Sequence, residues 1–134
     1  MTSVVLLDNE HATLWFHEES KIVHHHIKKW VSGNDFRSIL DKGYECFVKN
    51  NALKWLSDDR NNGALKPDDE EWATKTWFPR VLKAGWKHWA VVQPAKLVGQ
   101  MNIKRFTETF AKAGVNAQLF TDPDVAKKWL EGLT

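Results

Sequence analysis

Short apolar runs alternate with amphipathic stretches along most of this chain, and that alternation restricts the fold more than any other feature of the sequence. Short apolar runs are typical of buried strands, whereas apolar residues spaced three and four apart are typical of helices that cover a sheet. The predicted elements follow in the order β-β-α-β-α-β-α-β-α. Because strands joined through a helix pair in parallel, we expect an α/β fold with a mixed, mostly parallel sheet of about five strands and helices packed on it.

Residues 12–17 and 21–27 are predicted to form an antiparallel hairpin at the start of the sheet. Side chains alternate between the two faces of a strand. One face of the hairpin carries Ala12, Leu14, Phe16, Val23, His25 and Ile27. The other face carries Trp15, His17, His24 and His26. The first face is the more apolar, so we expect it to meet the core.

The first two helices are predicted from capping residues and prolines. Ser32 is a favourable N-cap for a helix that ends near Asn50, and Gly43 in its apolar stripe would allow close packing on a strand. Pro67 is predicted to open the second helix. Pro79 lies inside that helix and has no backbone N–H to donate, so we expect a kink or a break there.

The second half of the chain contains the most continuous strand signal, residues 87–93, which we expect to lie centrally in the sheet. Asn102 is predicted to cap a third helix that Gly114 ends. Residues 115–120 are predicted to form the last strand, and Asp122 is predicted to cap the final helix.

Size and composition narrow the class of protein. The chain has 134 residues, the length of one ordinary domain, and we expect residues 1–134 to form a single domain. The net charge of +2 comes from scattered basic residues, so no nucleic-acid-binding face is predicted. No apolar run reaches the ~20 residues that cross a bilayer. Cys46 is the only cysteine, which excludes an intrachain disulfide and favours the reducing cytoplasm.

The run His24-His25-His26 raises the question of a metal site. His24 and His26 project from one strand face, and His17 can approach them across the hairpin, which would supply enough imidazole for zinc. No cysteine or carboxylate pair accompanies them at a metal-binding spacing. The alternative, histidines that coat an outer face of the sheet, is favoured, and the sequence predicts neither a metal site nor a cofactor.

The loop after the third predicted strand is the best candidate site, because ligands of open α/β sheets bind outside the carboxyl ends of the strands. Its candidate binding residues are Ser57, Asp58, Asp59, Arg60, Asn61 and Asn62. The guanidinium of Arg60 can hold Asp58 or Asp59 through two hydrogen bonds. The alternative is an ordinary surface loop. No nucleophile, phosphate-binding or metalloprotease motif is present, so no catalytic residue and no enzyme are predicted.

The chain contains eight Trp, and most are expected to serve the core and its rim. Trp72 and Trp77 adjoin the candidate loop and are included among its binding residues. They lie five positions apart on one helix, so they cannot both face one partner squarely. An alternative function is therefore a carrier with a pocket near Trp55, Trp72 and Trp77, in which Arg60 would anchor a carboxylate.

A resemblance to a known family adds to these predictions. Residues 54–62, Glu71-Trp72 and residues 77–80, in this order of elements, resemble a bacterial family of small uncharacterised proteins with a STAS-like fold. That fold is the one of anti-sigma-factor antagonists, and CRAL-TRIO lipid-binding domains share it distantly. In antagonists a phosphorylated Ser begins the helix after a central strand. Here that helix begins Lys66-Pro67-Asp68, without a hydroxyl, so the resemblance does not extend to this phosphoswitch.

The resemblance implies a non-enzymatic regulatory or protein-interaction module that acts through residues 57–63. Its implied partner is another protein, or a second copy of the chain in a homodimer. The alternative function is a carrier of a small apolar or carboxylate ligand.

Overall fold

The structure, a computed structural model, describes residues 2–134 and contains a six-stranded sheet whose strand order follows the chain, β1-β2-β3-β4-β5-β6. The strands are β1 Ser3–Asp8, β2 Ala12–His17, β3 Ile22–Ile27, β4 Lys54–Asp58, β5 His88–Val92 and β6 Asn116–Phe120. The first three strands pair antiparallel, and β3 to β6 pair in parallel. The predicted α/β fold with an antiparallel start and parallel continuation is confirmed.

Helices occupy the connections between the parallel strands and the end of the chain. They are α1 Gly33–Lys49, α2 Pro67–Trp72, a π-helical segment Ala73–Trp77, α3 Phe78–Lys83, α4 Leu97–Lys112 and α5 Pro123–Glu131. The main core fills one face of the sheet, between the strands and the layer that runs from α1 to α4. A smaller apolar cluster lies on the opposite face beneath α5.

The prediction of about five strands was wrong by one, because β1 was not recognised. This strand pairs with β2 at the edge of the sheet and carries an irregularity between Val5 and Leu7. Val4 and Val5 are both exposed, so the strand lacks the alternation of buried and exposed positions that identifies a half-buried strand in sequence.

The predicted faces of the hairpin are confirmed. Every member of the predicted inner face, from Ala12 to Ile27, is buried, including His25. The residues of the other face, His24 among them, are half-buried and lie on the side of the sheet that α5 covers in part. The alternation in sequence therefore assigned each histidine to the correct face.

The close packing expected at Gly43 is confirmed. A methyl group on Gly43 would overlap the indole of Trp55, which is completely buried on β4. Ser32 occupies the predicted N-cap position of α1, but its side chain makes no capping hydrogen bond. Instead the first N–H of the helix, that of Gly33, donates to Asp69 on α2 at 3.0 Å.

The second helix is interrupted, as Pro79 predicts. A π-helical segment separates α2 from α3, and Pro79 lies in the first turn of α3, where a missing N–H costs least. Trp77 at the end of the π-helical segment and Phe78 at the start of α3 are both buried in the core. Trp77 donates its indole N–H to the carbonyl of Leu40 at 2.9 Å, which fixes this segment against α1.

Two predictions for the second half need correction. The third helix begins at Leu97, not at Asn102, and Asn102 is a buried residue inside it. The apolar side chains of Leu97 and Val98 are exposed, so the buried stripe starts later than the helix and misled the prediction.

The strand β5 was expected to lie centrally in the sheet. It is buried and paired on both sides, but it lies next to the edge strand β6. Asp122 caps α5 by accepting from the N–H of Asp124, as predicted.

Candidate ligand pocket

An open pocket of about 70 Å³ lies where the carboxyl ends of β3, β4 and β5 meet the helices of the main core. Its walls are mainly apolar and include Ile27, Phe36, Ile39, Trp77, Trp89, Ile103, Phe106 and Phe110. Its polar lining consists of His25, Ser57, Asp59, Asn62 and Asn102. The pocket lies directly beneath the loop that the sequence identified, at the sheet edge where α/β proteins bind ligands.

A chain of hydrogen bonds orients the polar lining. Trp55 Nε1 lies 3.1 Å from His25 Nδ1, and His25 Nε2 lies 2.9 Å from Asp59 Oδ1. An indole N–H can only donate, so Nδ1 of His25 accepts and carries no proton. The proton of the neutral imidazole therefore resides on Nε2 and is donated to the Asp59 carboxylate.

Ser57 and Asn62 contribute the other polar atoms of the lining. The indole N–H of Trp89 donates to Ser57 Oγ at 2.8 Å, so this oxygen accepts one hydrogen bond and its proton stays available. The backbone N–H of Asn62 donates to the carbonyl of Asp59 at 3.0 Å, closing a turn that holds both side chains at the pocket. Asn62 Oδ1 is buried and has no hydrogen-bond partner within residues 2–134.

The rim of the pocket is held by Asn102. Its Oδ1 accepts the N–H of Leu65 at 3.1 Å, and its Nδ2 donates to Glu70 at 3.0 Å. Arg105 donates to the same oxygen of Glu70 at 2.7 Å. These bonds join α4 to the loop and to α2, so the loop over the pocket is anchored at its far end.

Arg60 holds Asp58 through two hydrogen bonds, one of the two pairings that the sequence allowed. Nε and Nη2 of Arg60 donate to the two oxygens of Asp58, each at 2.9 Å. Burial acts to raise the pKa of Asp58, but the hydrogen bonds and charge of Arg60, together with the neighbouring His26, lower it below its ordinary value. Neither Asp58 nor Arg60 lines the pocket.

The structure divides the predicted site residues into two groups. Those that line the pocket are Ser57, Asp59, Asn62 and Trp77. Those that lie elsewhere are Asp58, Arg60, Asn61 and Trp72. Adjacent residues of a strand project to opposite faces, which separates Asp58 from Asp59. Trp72 packs edge-on against Phe36 under the guanidinium of Arg37, outside the pocket.

The histidines of the opposite face form a separate cluster. His17 Nε2 lies 3.0 Å from His24 Nδ1, and the ring of Trp15 packs against His24. Burial, with a contribution from His17, lowers the pKa of His24 to about 3. Within residues 2–134, no group of three or more His, Cys, Asp or Glu side chains is arranged to hold a metal ion.

Two polar residues of the pocket lining were not among the predicted site residues. His25 was assigned to the inner face, but its contact with Asp59 depends on β3 pairing with β4, which the sequence does not specify. The register places His25 opposite Ser57, two residues before Asp59. Asn102 was predicted to be a helix cap because an Asn directly before an apolar stripe is typical of the N-cap position.

Fold and pocket together define the class of this protein as an α/β domain with an apolar pocket at the carboxyl ends of parallel strands. No protein-family model, curated protein sequence or solved structure matches the chain. Among residues 2–134, no helix has both the length and the apolar character needed to cross a membrane.

Proposed function

We propose that this protein binds a small, mostly apolar ligand that carries one polar group, without transforming it. The observation that supports this proposal most strongly is the pocket itself, whose apolar walls converge on the oriented polar set of His25, Ser57 and Asp59. Few polar groups in a mainly apolar cavity are typical of small-molecule sites, where they fix the orientation of the ligand.

The size of the pocket limits the ligand. A volume of about 70 Å³ has room for about five water molecules, given the ~15 Å³ that one needs by this measure. The pocket is open on one side, so a short branched chain or a single ring fits with its far end toward the mouth. The part of the ligand that enters the pocket is therefore compact.

The hydrogen bonds of His25 argue against a hydrolytic enzyme. A general base for Ser57 would need a free imidazole nitrogen facing its hydroxyl. Both nitrogens of His25 are engaged, one by Trp55 and the other by Asp59. Ser57 accepts from Trp89, and no hydrogen bond joins its hydroxyl to an imidazole or a carboxylate among residues 2–134. The polar set is thus suited to orienting a ligand.

Isoleucine methyl groups offer a direct test of binding. Three of the four Ile residues, Ile27, Ile39 and Ile103, line the pocket, whereas Ile22 lies in the separate cluster beneath α5. We expect single-ring and short branched compounds to shift the δ1-methyl resonances of the three pocket isoleucines in NMR spectra and to leave the δ1-methyl resonance of Ile22 in place. Equal shifts at all four methyls, or none, would contradict the proposal.

Two substitutions on α4 provide a matched pair. Ile103→Trp puts a larger side chain into the pocket and should abolish the shifts at Ile27 and Ile39. Met101→Trp adds the same indole to the exposed side of the helix and should leave binding unchanged. A ligand that still binds the Ile103→Trp protein would have to occupy another site.

A second candidate function is the predicted protein-interaction module of STAS-like type. The observation that favours it is a patch of exposed apolar side chains at the start of α4, formed by Leu97, Val98 and Met101. Exposed apolar clusters mark interaction sites more often than scattered apolar residues do. The patch adjoins the loop, since the N–H of Ala95 donates to the carbonyl of Arg60 at 3.3 Å.

Sedimentation velocity tests the homodimer that this second function includes. A dimer of the unmodified chain that Leu97→Asp converts to monomer would support an interface at the patch. A monomer at every concentration would reject self-association. The STAS-like assignment and the cytoplasmic location stay predictions.

A further inference from the structure

Three carboxylates are buried in the described chain, and they differ in their partners. Asp58 is paired with Arg60 at 2.9 Å, and Asp69 is paired with Arg37 at 3.4 Å and accepts the N–H of Gly33. Asp59 has neither an arginine nor a lysine within ion-pair distance among residues 2–134. Its side-chain partner is His25, whose Nδ1 accepts from Trp55 and therefore carries no proton in this arrangement.

A buried carboxylate without a cation is costly, because the protein interior does not replace the solvation that water gives to the charge. The charged state of Asp59 is compensated here by one hydrogen bond from a neutral imidazole. The other oxygen, Oδ2, accepts no hydrogen bond from residues 2–134, and the side chain lines the pocket. The structure therefore has room for a positive charge at this oxygen.

We propose that the ligand supplies that charge: the pocket is selective for a primary ammonium compound with a compact apolar body. This inference rests on the proposed function, since it names the ligand class of the same pocket. A primary ammonium group carries three donors and no acceptor. Asp59 Oδ2 is the acceptor that the pocket offers to it, and Asn62 Oδ1, buried and without a partner in the same turn of the loop, is the second acceptor next to the site.

The same arrangement disfavours a carboxylate ligand. No Lys or Arg in residues 2–134 lines the pocket. Arg60, which the sequence suggested as the anchor of a carboxylate, is bound to Asp58 and lies outside the pocket. An anionic ligand would meet the charge of Asp59 without a cation to offset it, so repulsion adds to the loss of solvation.

Matched probes of two sizes test this selectivity. The first set is isobutylamine, isobutanol and isobutyrate, and the second is benzylamine, benzyl alcohol and benzoate. Members of a set share an apolar body and differ in the polar group. In titrations of the full chain followed by the isoleucine methyl resonances, we expect each amine to bind at least about tenfold more tightly than its alcohol, and neither carboxylate to bind.

Variants assign the preference to individual residues. Asp59→Asn keeps the shape of the side chain and an oxygen for His25, so we expect the amine to lose its advantage while the alcohol binds as before. Asn62→Ala leaves the His25 contact intact and should weaken amine binding severalfold. Asp69→Asn changes a buried acid outside the pocket and should leave the preference unchanged. The Ile22 methyl resonance reports whether each variant is folded.

The outcomes separate this inference from the proposed function. If alcohols or carboxylates bind as tightly as amines and Ile103→Trp abolishes all binding, the pocket function holds and the ammonium selectivity is overturned. If the amine preference persists in folded Asp59→Asn protein, the selectivity is likewise overturned. If no probe of either set shifts the pocket methyls, the proposed function fails, and the inference fails with it.

Discussion

The indole of Trp55 donates to Nδ1 of His25 over 3.1 Å, and this contact determines which imidazole nitrogen carries the proton. Because an indole N–H can donate but not accept, the direction of the bond is fixed. The protonated Nε2 then faces Asp59. One core tryptophan thus controls the hydrogen-bonding character of the pocket floor.

The first prediction concerns this tautomer. Nitrogen-15 NMR of labelled histidine should show the proton of His25 on Nε2 and none on Nδ1. Trp55→Phe removes the donor and leaves the buried Nδ1 without a partner, so we expect a loss of about 1–3 kcal/mol in the free energy of unfolding, measured with urea. A ring protonated at Nδ1 in the unmodified protein would contradict this account.

The second prediction compares two Arg–Asp pairs with equal distances. Arg60 and Arg80 each lie 2.9 Å from an aspartate, but the side chain of Asp58 is 3% exposed and that of Asp41 is 45% exposed. Arg60→Ala leaves a buried carboxylate without its main partner, and we expect a loss of about 1–3 kcal/mol in the free energy of unfolding. Arg80→Ala should cost less than about 1 kcal/mol. Equal losses would show that burial of the acid is irrelevant here.

The third prediction concerns acid. In the folded protein, burial lowers the pKa of His24 from 6.5 to about 3, so the unfolded chain binds a proton that the folded chain does not. The resulting stability is fully present above 6.5 and is lost as the pH falls from 6.5 toward 3. The slope reaches about 1.4 kcal/mol per pH unit for one such group. His17, whose pKa is also lowered by burial, acts in the same direction.

Urea unfolding between about pH 8 and about pH 5 measures this loss. His24→Phe keeps an aromatic ring beside Trp15 and removes the titration, so its stability should fall less steeply with acid than that of the unmodified protein. Parallel profiles for the two proteins would mean that the group responsible lies elsewhere.

The fourth prediction concerns the contact between α1 and β4. Gly43→Ala would force its methyl group into the buried indole of Trp55, and we expect a loss of about 1–3 kcal/mol in the free energy of unfolding. Gly132→Ala is the control, because a methyl group there meets only backbone oxygens at 3.7 Å. Thermal unfolding of both variants measures the difference in stability. A Gly43→Ala protein as stable as the control would mean that α1 can move away from β4 without a cost in stability.

Local sequence signals predicted the architecture better than the site. Alternation placed His25 on the inner face, and Pro79 marked the interruption of the second helix, because each signal acts within one or two turns of chain. The order and pairing of strands depend on contacts between residues that are far apart in the sequence. Periodicity within one segment therefore could not predict the contacts of His25 on β3 with Trp55 on β4 and with Asp59 directly after β4.

The candidate loop was identified only from its position after a predicted strand. The alternation of side chains along an extended segment then explains why some of its residues line the pocket and others do not. Asp58 and Asp59 are neighbours in an extended segment, so only one of them can face the main core. The register that decides between them comes from β3 and β4 together. Asn102 was misplaced because the exposed Leu97 and Val98 hide the true start of α4.

The two faces of the sheet are covered by different parts of the chain. The layer over the main core comes from segments that precede β6, whereas Ile22, Leu56, Ala90 and Val92 on the other face are covered by α5. If α5 detaches while the rest of the sheet stays folded, these four side chains form an exposed apolar strip on β3, β4 and β5. Transiently exposed apolar surface of this kind promotes aggregation, so local detachment of one terminal helix would be enough to make the folded sheet self-associate.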